Sequence, residues 1–471
     1  MSNNATNNAN TTKRITTSCA VGHYLDFYPI VFAGGTGSRL HPLTDELIKA
    51  LLPVGNKPAL FSSLYMLERS GFTQAMVVTV PSQLAAISNY VYEQYPLDEL
   101  VQKRRTSVSP MAIKVHAVTE GIGTADALRE IANYIPSDFL ILSSDLIVDW
   151  DLVGLLEQHR IRDASLTLVL YEDGKPQEKQ PNLKYSSSHQ TSALEDVTLI
   201  SPGDHRIFML ESSADIEDQV AISRNILQHN SRLVLRRNWR DCHLYVCSHW
   251  ILELLRRNVA ISSIKAELIP YLVRRQYHLS KQCRVWQKLS KGNEQDSLDI
   301  PLGTEYRLEK PIHWIHFPDI VRCYAMLLPS NIFSRRMHTL EWYEQVNAAC
   351  LKGWIGWCTT EDKASLKKNH HRLIIGQGLS LGDQSELKEC VIGDHCHIGH
   401  RVKLNGCIVM DHVMIGDDCH LQNCIISSNS HIMERCKLKQ CTCAASMTIP
   451  ADTTAKGESF GQSHDADFLF G

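Results

Sequence analysis

Six consecutive residues, Gly34-Gly35-Thr36-Gly37-Ser38-Arg39, join three glycines, two hydroxyls and a cation directly after an apolar run from Tyr28 to Ala33. A strand that stops on glycines lets backbone N–H groups approach a phosphate, because no Cβ stands between them. Arg39 and the later Lys49 and Lys57 would add the positive charge that amides lack. Further on, Gly123-Thr124-Ala125 precedes Asp126, and the run from Phe139 to Asp145 ends an apolar strand on a carboxylate. Phosphoryl and nucleotidyl transfer place charge on non-bridging oxygens, and amides, cations and a carboxylate-held metal neutralise it. Each residue also has a plain structural use: the glycines can make a tight turn, the lysines can be solvated, and Asp145 can cap a helix.

The elements that must position these groups alternate. Strand-length apolar runs occur at Tyr28–Ala33, Ala75–Val80, Met111–Val118, Phe139–Asp145 and Ala164–Leu170. Ala59 to Ser70 has helical spacing, with Leu60, Leu64 and Leu67 on one side and Gly71 at its end. Such alternation predicts a mostly parallel sheet with helices on both faces and ligands at the C-terminal ends of its strands. Further structured stretches fall at Ile207–Leu210, Arg232–Leu235, Cys242–Val246, Trp250–Arg257 and Trp314–Leu328. Polar insertions are expected near 172–196 and 281–299.

The last hundred residues repeat. Apolar residues stand at Ile375, Leu381, Leu387; Ile392, Ile398, Leu404; Val409, Ile415, Leu421; and Ile426, Ile432, Leu438, closing every 17 residues. Three short strands per turn describe a triangular β-solenoid, in which each coil buries its apolar residues by stacking on the next. Cys390, Cys407, Cys424 and Cys441 follow the third apolar residue of each set and would form a ladder of small buried side chains. His395, His397, His400, His412, His420 and His431 scatter over the repeat and read as solvated corners.

At 471 residues two or three domains are expected. Hydrophobic residues at 44%, charged residues at 21% and a net charge of −3 leave no electrostatic footprint for nucleic acid or an anionic membrane. No apolar run approaches the length of a transmembrane helix, and the Asn/Thr-rich start lacks the apolar core of a signal peptide. Fifteen cysteines without a secretory signal read as free thiols in a reducing cytosol.

The loop GGTGSRLHPLT, Lys49, the run LLPVGNKP, Gly123-Thr-Ala-Asp126 and Asp145, in that order, resemble the signature of sugar-1-phosphate nucleotidyltransferases. Several of those enzymes carry a C-terminal left-handed β-helix. The resemblance implies an α/β, nucleotidyltransferase-like (Rossmann-like) domain with a mostly parallel sheet, followed by a left-handed parallel β-helix. It implies that Gly34, Gly35, Gly37 and Arg39 hold a triphosphate and that Lys49 activates the α-phosphate. Gly123, Thr124 and Ala125 would line the base, and Asp145 would hold magnesium. Three departures point to a vestigial pocket. Ser144 stands where such enzymes usually have Gly, and Ile48 and Ala50 replace the prolines that stiffen the lysine. No motif secures the second metal-binding Asp, for which Asp241 and Asp319 lie in roughly the right part of the chain. No cofactor is then required, and a nucleotide or Mg2+ is what the pocket would take.

A closer resemblance, in IGTADALREI (122–131), LILSSDLIVDW (140–150), DCHLYVCSHWILELL (241–255) and ISSIKAELIPYLVRRQY (261–277), is to the gamma-subunit family of eukaryotic translation initiation factor 2B. It implies a regulatory or structural subunit, not an enzyme, of the complex that promotes exchange of GDP for GTP on initiation factor 2. Its partners would be the other subunits, above all epsilon, and initiation factor 2, in the cytosol, with no direct nucleic acid and no membrane. The alternative is an active sugar-1-phosphate nucleotidyltransferase making a nucleotide sugar. The expected domains are a disordered tail (1–27), the nucleotidyltransferase-like domain (28–350), a linker (351–371), the β-helix (372–455) and a C-terminal tail (456–471).

Overall fold

A computed structural model of the chain describes residues 26–105, 110–172, 196–212, 222, 224–230, 232–276, 321–358 and 372–461. The insertion at 281–299, Asp319, and most of the N-terminal tail, the linker and the 172–196 insertion lie outside those residues.

The first domain alternates strands and helices as its apolar runs dictate. In order come β1 (Phe27–Phe32), α1 (Ala59–Arg69), β2 (Gln74–Thr79), α2 (Pro81–Asn89), β3 (Ala112–Ala117) and α3 (Thr124–Ile131). Then follow β4 (Asp138–Ser143), β5 (Leu146–Val148), α4 (Val153–Ile161), β6 (Leu166–Glu172), β7 (Trp239–Cys247) and α5 (Trp250–Arg257). Last are β8 (Cys323–Leu327), β9 (Ser334–Arg336) and α6 (Leu340–Leu351). The main sheet runs β8-β6-β7-β4-β1-β2-β3, and all neighbours are parallel except β7, which is antiparallel to both β4 and β6. Helices cover both faces, so a central strand must be apolar throughout. Ile30 of β1 joins the core on one face and Val31 the core on the other. Leu60, Leu64 and Leu67 of α1 are fully buried on one helical stripe, each contributing about 1.5–3 kcal/mol. Gly71 adopts a φ of +89° where the chain leaves the helix.

One buried titratable group makes this core acid-sensitive. His159 of α4 is 2% exposed, its Nδ1 meets the Thr167 hydroxyl at 2.8 Å, and burial pushes its pKa from 6.5 down to about 4. The folded value lies below the unfolded one, so this stability is present above pH 6.5 and is lost as pH falls toward 4. The loss reaches at most about 3 kcal/mol. Urea unfolding of His159→Gln should therefore show a flatter dependence on pH in that window than the parent chain.

The C-terminal domain is the left-handed β-helix. Its short strands stack in three parallel sheets, and every pairing joins residue i to residue i+17, as in Ile375↔Ile392, Leu381↔Ile398 and Leu387↔Leu404. The coils continue past Leu438 through Cys443, Ile449 and Ala455 to a last strand at Ser459–Phe460. Glycine at the corners is a packing requirement. A Cβ on Gly376 would overlap the Asp394 carboxylate of the next coil, whose Oδ1 accepts from the Gln377 amide at 2.6 Å. The four ladder cysteines are buried free thiols. The histidines are less scattered than their sequence suggests: His395 and His412 occupy equivalent corners and stack with centroids 5.3 Å apart.

One face of the solenoid docks on the α/β domain. Where the other sheets alternate polar and apolar residues, this sheet carries doublets, among them Ile374-Ile375, Val391-Ile392, Ile408-Val409 and Ile425-Ile426. One member points into the coil; the other, Ile374, Val391, Ile408 or Ile425, belongs to the core that includes Tyr343, Val346 and Cys350 of α6. Asn56 Nδ2 also donates to the Ile392 carbonyl at 2.6 Å.

Candidate functional site

A cleft of about 340 Å³ opens beyond the C-terminal ends of β1 and β4. Gly35, Thr36, Gly37, Ser38 and Arg39 form one wall, and Lys49 reaches in beside them. Gly37 has a φ of +73°, and a Cβ there would lie 2.8 Å from Thr44 Cγ2 and 3.2 Å from Lys49 Cβ. Only glycine fits. Thr44 Oγ1 locks the loop by donating to the Gly37 carbonyl at 3.0 Å. Lys49 begins a single 3-10 turn, Lys49–Leu51, closed by Leu51 N donating to Ile48 O at 2.8 Å, with Ala50 buried. Lys57, in contrast, leaves the site: it pairs with Asp98 and sits 4.4 Å from the Phe61 ring centroid.

Asp145 does not face the cleft. Its side chain is 2% exposed beneath two cations. Lys49 Nζ donates to Oδ2 at 2.5 Å, and Arg336 donates through Nη2 to Oδ2 at 3.0 Å and through Nε to Oδ1 at 3.2 Å. Ser143 Oγ donates to Oδ1 at 2.5 Å. Backbone pairing delivers the guanidinium: β9 runs antiparallel to β5 with Arg336 opposite Leu146, and Met337 N donates to Asp145 O at 2.8 Å. Burial alone would raise the Asp145 pKa, but Arg336 and then Lys49 outweigh it and hold the carboxyl well below the ordinary carboxylate range.

The magnesium that the nucleotidyltransferase resemblance implies does not fit this donor set. A carboxylate offers about four lone-pair sites, and here four donors take them. Of the two candidates for a second carboxylate, Asp319 lies outside the described residues and Asp241 is partly taken up by hydrogen bonds. Asp241 of β7 lies on the cleft wall, accepts from the Tyr245 hydroxyl and from His243 N at 2.8 Å, and is pushed toward neutrality by burial. Between the two stands His243, with Nε2 at 2.7 Å from Arg336 Nη1. Burial, then Arg336, holds His243 far below its usual pKa, so its neutral Nε2 accepts and Nδ1 carries the proton. Among the described residues no three His, Cys, Asp or Glu side chains converge to hold a metal. In this structure Asp145 is the buried anchor of two cations.

The far wall holds Tyr171, Asp196, Arg240, Lys265, His338 and Trp342. Lys265 Nζ pairs with Asp196 Oδ2 at 2.9 Å, and the His338 and Trp342 rings meet edge to face at 4.5 Å.

The expected base-lining segment is elsewhere. Gly123, Thr124 and Ala125 do not border the cleft, and Gly34 lies just behind it against Val80. The segment around Ser262 covers the start of α3: Ala125 N donates to Ser262 O at 2.8 Å, and Ile264 N donates to Thr124 Oγ1 at 2.9 Å. A Cβ on Gly123 would overlap the Ser262 carbonyl. This accounts for part of ISSIKAELIPYLVRRQY: it covers the start of α3 and contributes Lys265 to the cleft. Sequence reasoning missed Arg336, Arg240, Lys265 and Asp196, for no local spacing marks them.

An amide loop with a lysine at the switch of a Rossmann-like sheet, joined to a docked left-handed β-helix, defines a nucleotidyltransferase-like domain with a hexapeptide-repeat partner. Residues 28–179 match the nucleotidyl transferase family, and residues 358–455 match the left-handed β-helix domain of the eIF2B epsilon subunit family. The chain is 30% identical over 377 residues to the translation initiation factor eIF2B subunit gamma of Schizosaccharomyces pombe, covering 78% of this chain and 73% of that one. The gamma subunit of Dictyostelium discoideum is 24% identical over 69% of this chain and 74% of its own. The epsilon subunit of S. pombe is 23% identical over 51% of this chain and 34% of its own. The chain belongs to the translation initiation factor eIF2B gamma-subunit family.

Proposed function

We propose that the chain works as a regulatory or structural subunit of the factor 2B complex that promotes exchange of GDP for GTP on initiation factor 2, and that its cleft does not catalyse nucleotidyl transfer. The observation that carries this reading is the Asp145 carboxylate, saturated by Arg336, Lys49 and Ser143. A lysine anchored on Asp145 is not free to follow an α-phosphate into a transition state, and the Asp145 carboxylate has no lone pair left to bring a metal to it. Gly35, Gly37, Arg39 and Lys49 persist as a phosphate-binding wall without turnover. Its partners are the other subunits, above all epsilon, and initiation factor 2. It acts in the cytosol and needs neither nucleic acid nor membrane. The two solenoid faces turned away from the α/β domain offer surfaces for those contacts.

Two measurements test this. Affinity purification of the endogenous protein should recover a stoichiometric set of factor 2B subunits; recovery of the chain alone would count against it. Incubation with magnesium, labelled nucleoside triphosphates and a panel of sugar 1-phosphates should give no product above background. Robust turnover abolished by Asp145→Asn would establish the enzyme instead.

A further inference from the structure

We propose that the Arg336 guanidinium takes the place of a divalent cation, so that the cleft binds a polyphosphate as the free anion and magnesium competes with the protein for it. The inference rests on the reading of the cleft as a phosphate-binding wall and adds the form in which the ligand is taken.

Three observations converge. Charge comes first: Arg39, Lys49, Arg240, Lys265 and Arg336 border the cleft against two carboxylates, Asp196 and Asp241. Adding the Asp145 carboxylate beneath Lys49 and Arg336 still leaves five cations to three anions. An enzyme that receives its triphosphate with a metal needs carboxylate oxygens free to hold that metal, whereas this cleft presents an excess of cations over carboxylates.

The second observation is the guanidinium's unused capacity. Arg336 has five N–H groups, of which Nε and Nη2 each give one to Asp145 and Nη1 gives one to His243. Two remain, on a side chain that borders the cleft and is 21% exposed. Asp145 and His243 fix the plane of the fork, so an arriving phosphate meets a pre-oriented pair of donors. That is the role a carboxylate-held cation would have filled, delivered by a side chain that chelators cannot remove.

Third, the base segment is closed. The amide of Ala125 is spent on Ser262 O and the Thr124 hydroxyl on Ile264 N. Recognition therefore falls on phosphates, and the ligand class is an inorganic or nucleoside polyphosphate read by its anionic end.

The test is calorimetric titration of the full-length chain with inorganic triphosphate, in excess EDTA and in excess magnesium. Binding in EDTA should be tighter than in magnesium, because the metal complex has lost charge that the cations would meet. Arg39→Gln, a change at the exposed rim, should weaken it by about tenfold. Arg336→Gln frees two lone pairs of Asp145, so its residual binding should become magnesium-dependent. Should that variant fail to fold, the wild-type comparison and Arg39→Gln still decide. Binding as tight in magnesium as in EDTA, or tighter, would overturn the inference while leaving the phosphate wall intact. An absence of binding in both buffers would remove the phosphate wall and the inference together.

Discussion

Arg336→Leu should lower the free energy of unfolding by about 3–5 kcal/mol, the usual result of removing one partner from a buried ion pair. The cause is the charge left behind. Asp145 is 1% exposed overall and would keep only Lys49 and the Ser143 hydroxyl as partners. His243 would lose the donor that now satisfies its Nε2. The double variant Arg336→Leu/Asp145→Asn should recover part of the loss, since a neutral amide tolerates burial better than an unpaired carboxylate. Acid should separate the two chains further. The folded pKa of Asp145 is depressed, so its contribution is fully present above the unfolded value of 3.8 and disappears only as pH falls through the folded one. Without Arg336 the folded pKa rises, and the contribution fades in a milder acid range. Urea midpoints from pH 7 down to pH 4 would show this. Equal pH profiles for parent and Arg336→Leu would mean that the guanidinium is not what holds the carboxylate ionised.

Leu404→Ala should cost about 2–5 kcal/mol, measured in the same way. Leu404 is 1% exposed, stacked in register on Leu387 before it and Leu421 after it. In a solenoid each coil meets only its neighbours, so a cavity in a central coil weakens two interfaces at once. The backbone ladder cannot close over the gap, because the i+17 hydrogen bonds fix the spacing of the coils. Cys407→Ala, three residues away on the cysteine ladder, removes one sulfur atom and should cost distinctly less than Leu404→Ala. Comparable losses at both positions would mean that the thiols do more than fill space.

The sequence alone determined the parts governed by short-range pattern. Apolar runs of strand length, Leu60-Leu64-Leu67 on one helical stripe and the glycine at 71 specify the α/β layers, because strand and helix periods are local properties of the chain. The 17-residue repeat specifies the solenoid down to its pairing register, since stacking one coil on the next leaves a single in-register solution. The docking face left a signal that the repeat reading passed over, doublets such as Val391-Ile392 where the other faces alternate, because that signal concerns what lies outside the coil. The positions of Gly37 and Lys49 followed from the loop itself.

Tertiary structure decided what those groups can do. Arg336 reaches Asp145 from 191 residues away, and the Ser262–Ile264 segment closes Gly123–Ala125 across a sequence separation of 140 residues. An arginine in a polar stretch carries no mark of the carboxylate it will neutralise, and a buried ion pair is set by the meeting of two backbones, here β9 against β5. Loop, lysine and strand-end aspartate alone read as a metal-dependent nucleotide site. In the fold the Arg336 guanidinium takes Asp145 lone pairs that a metal would need, and a fully hydrogen-bonded carboxylate has none left to give.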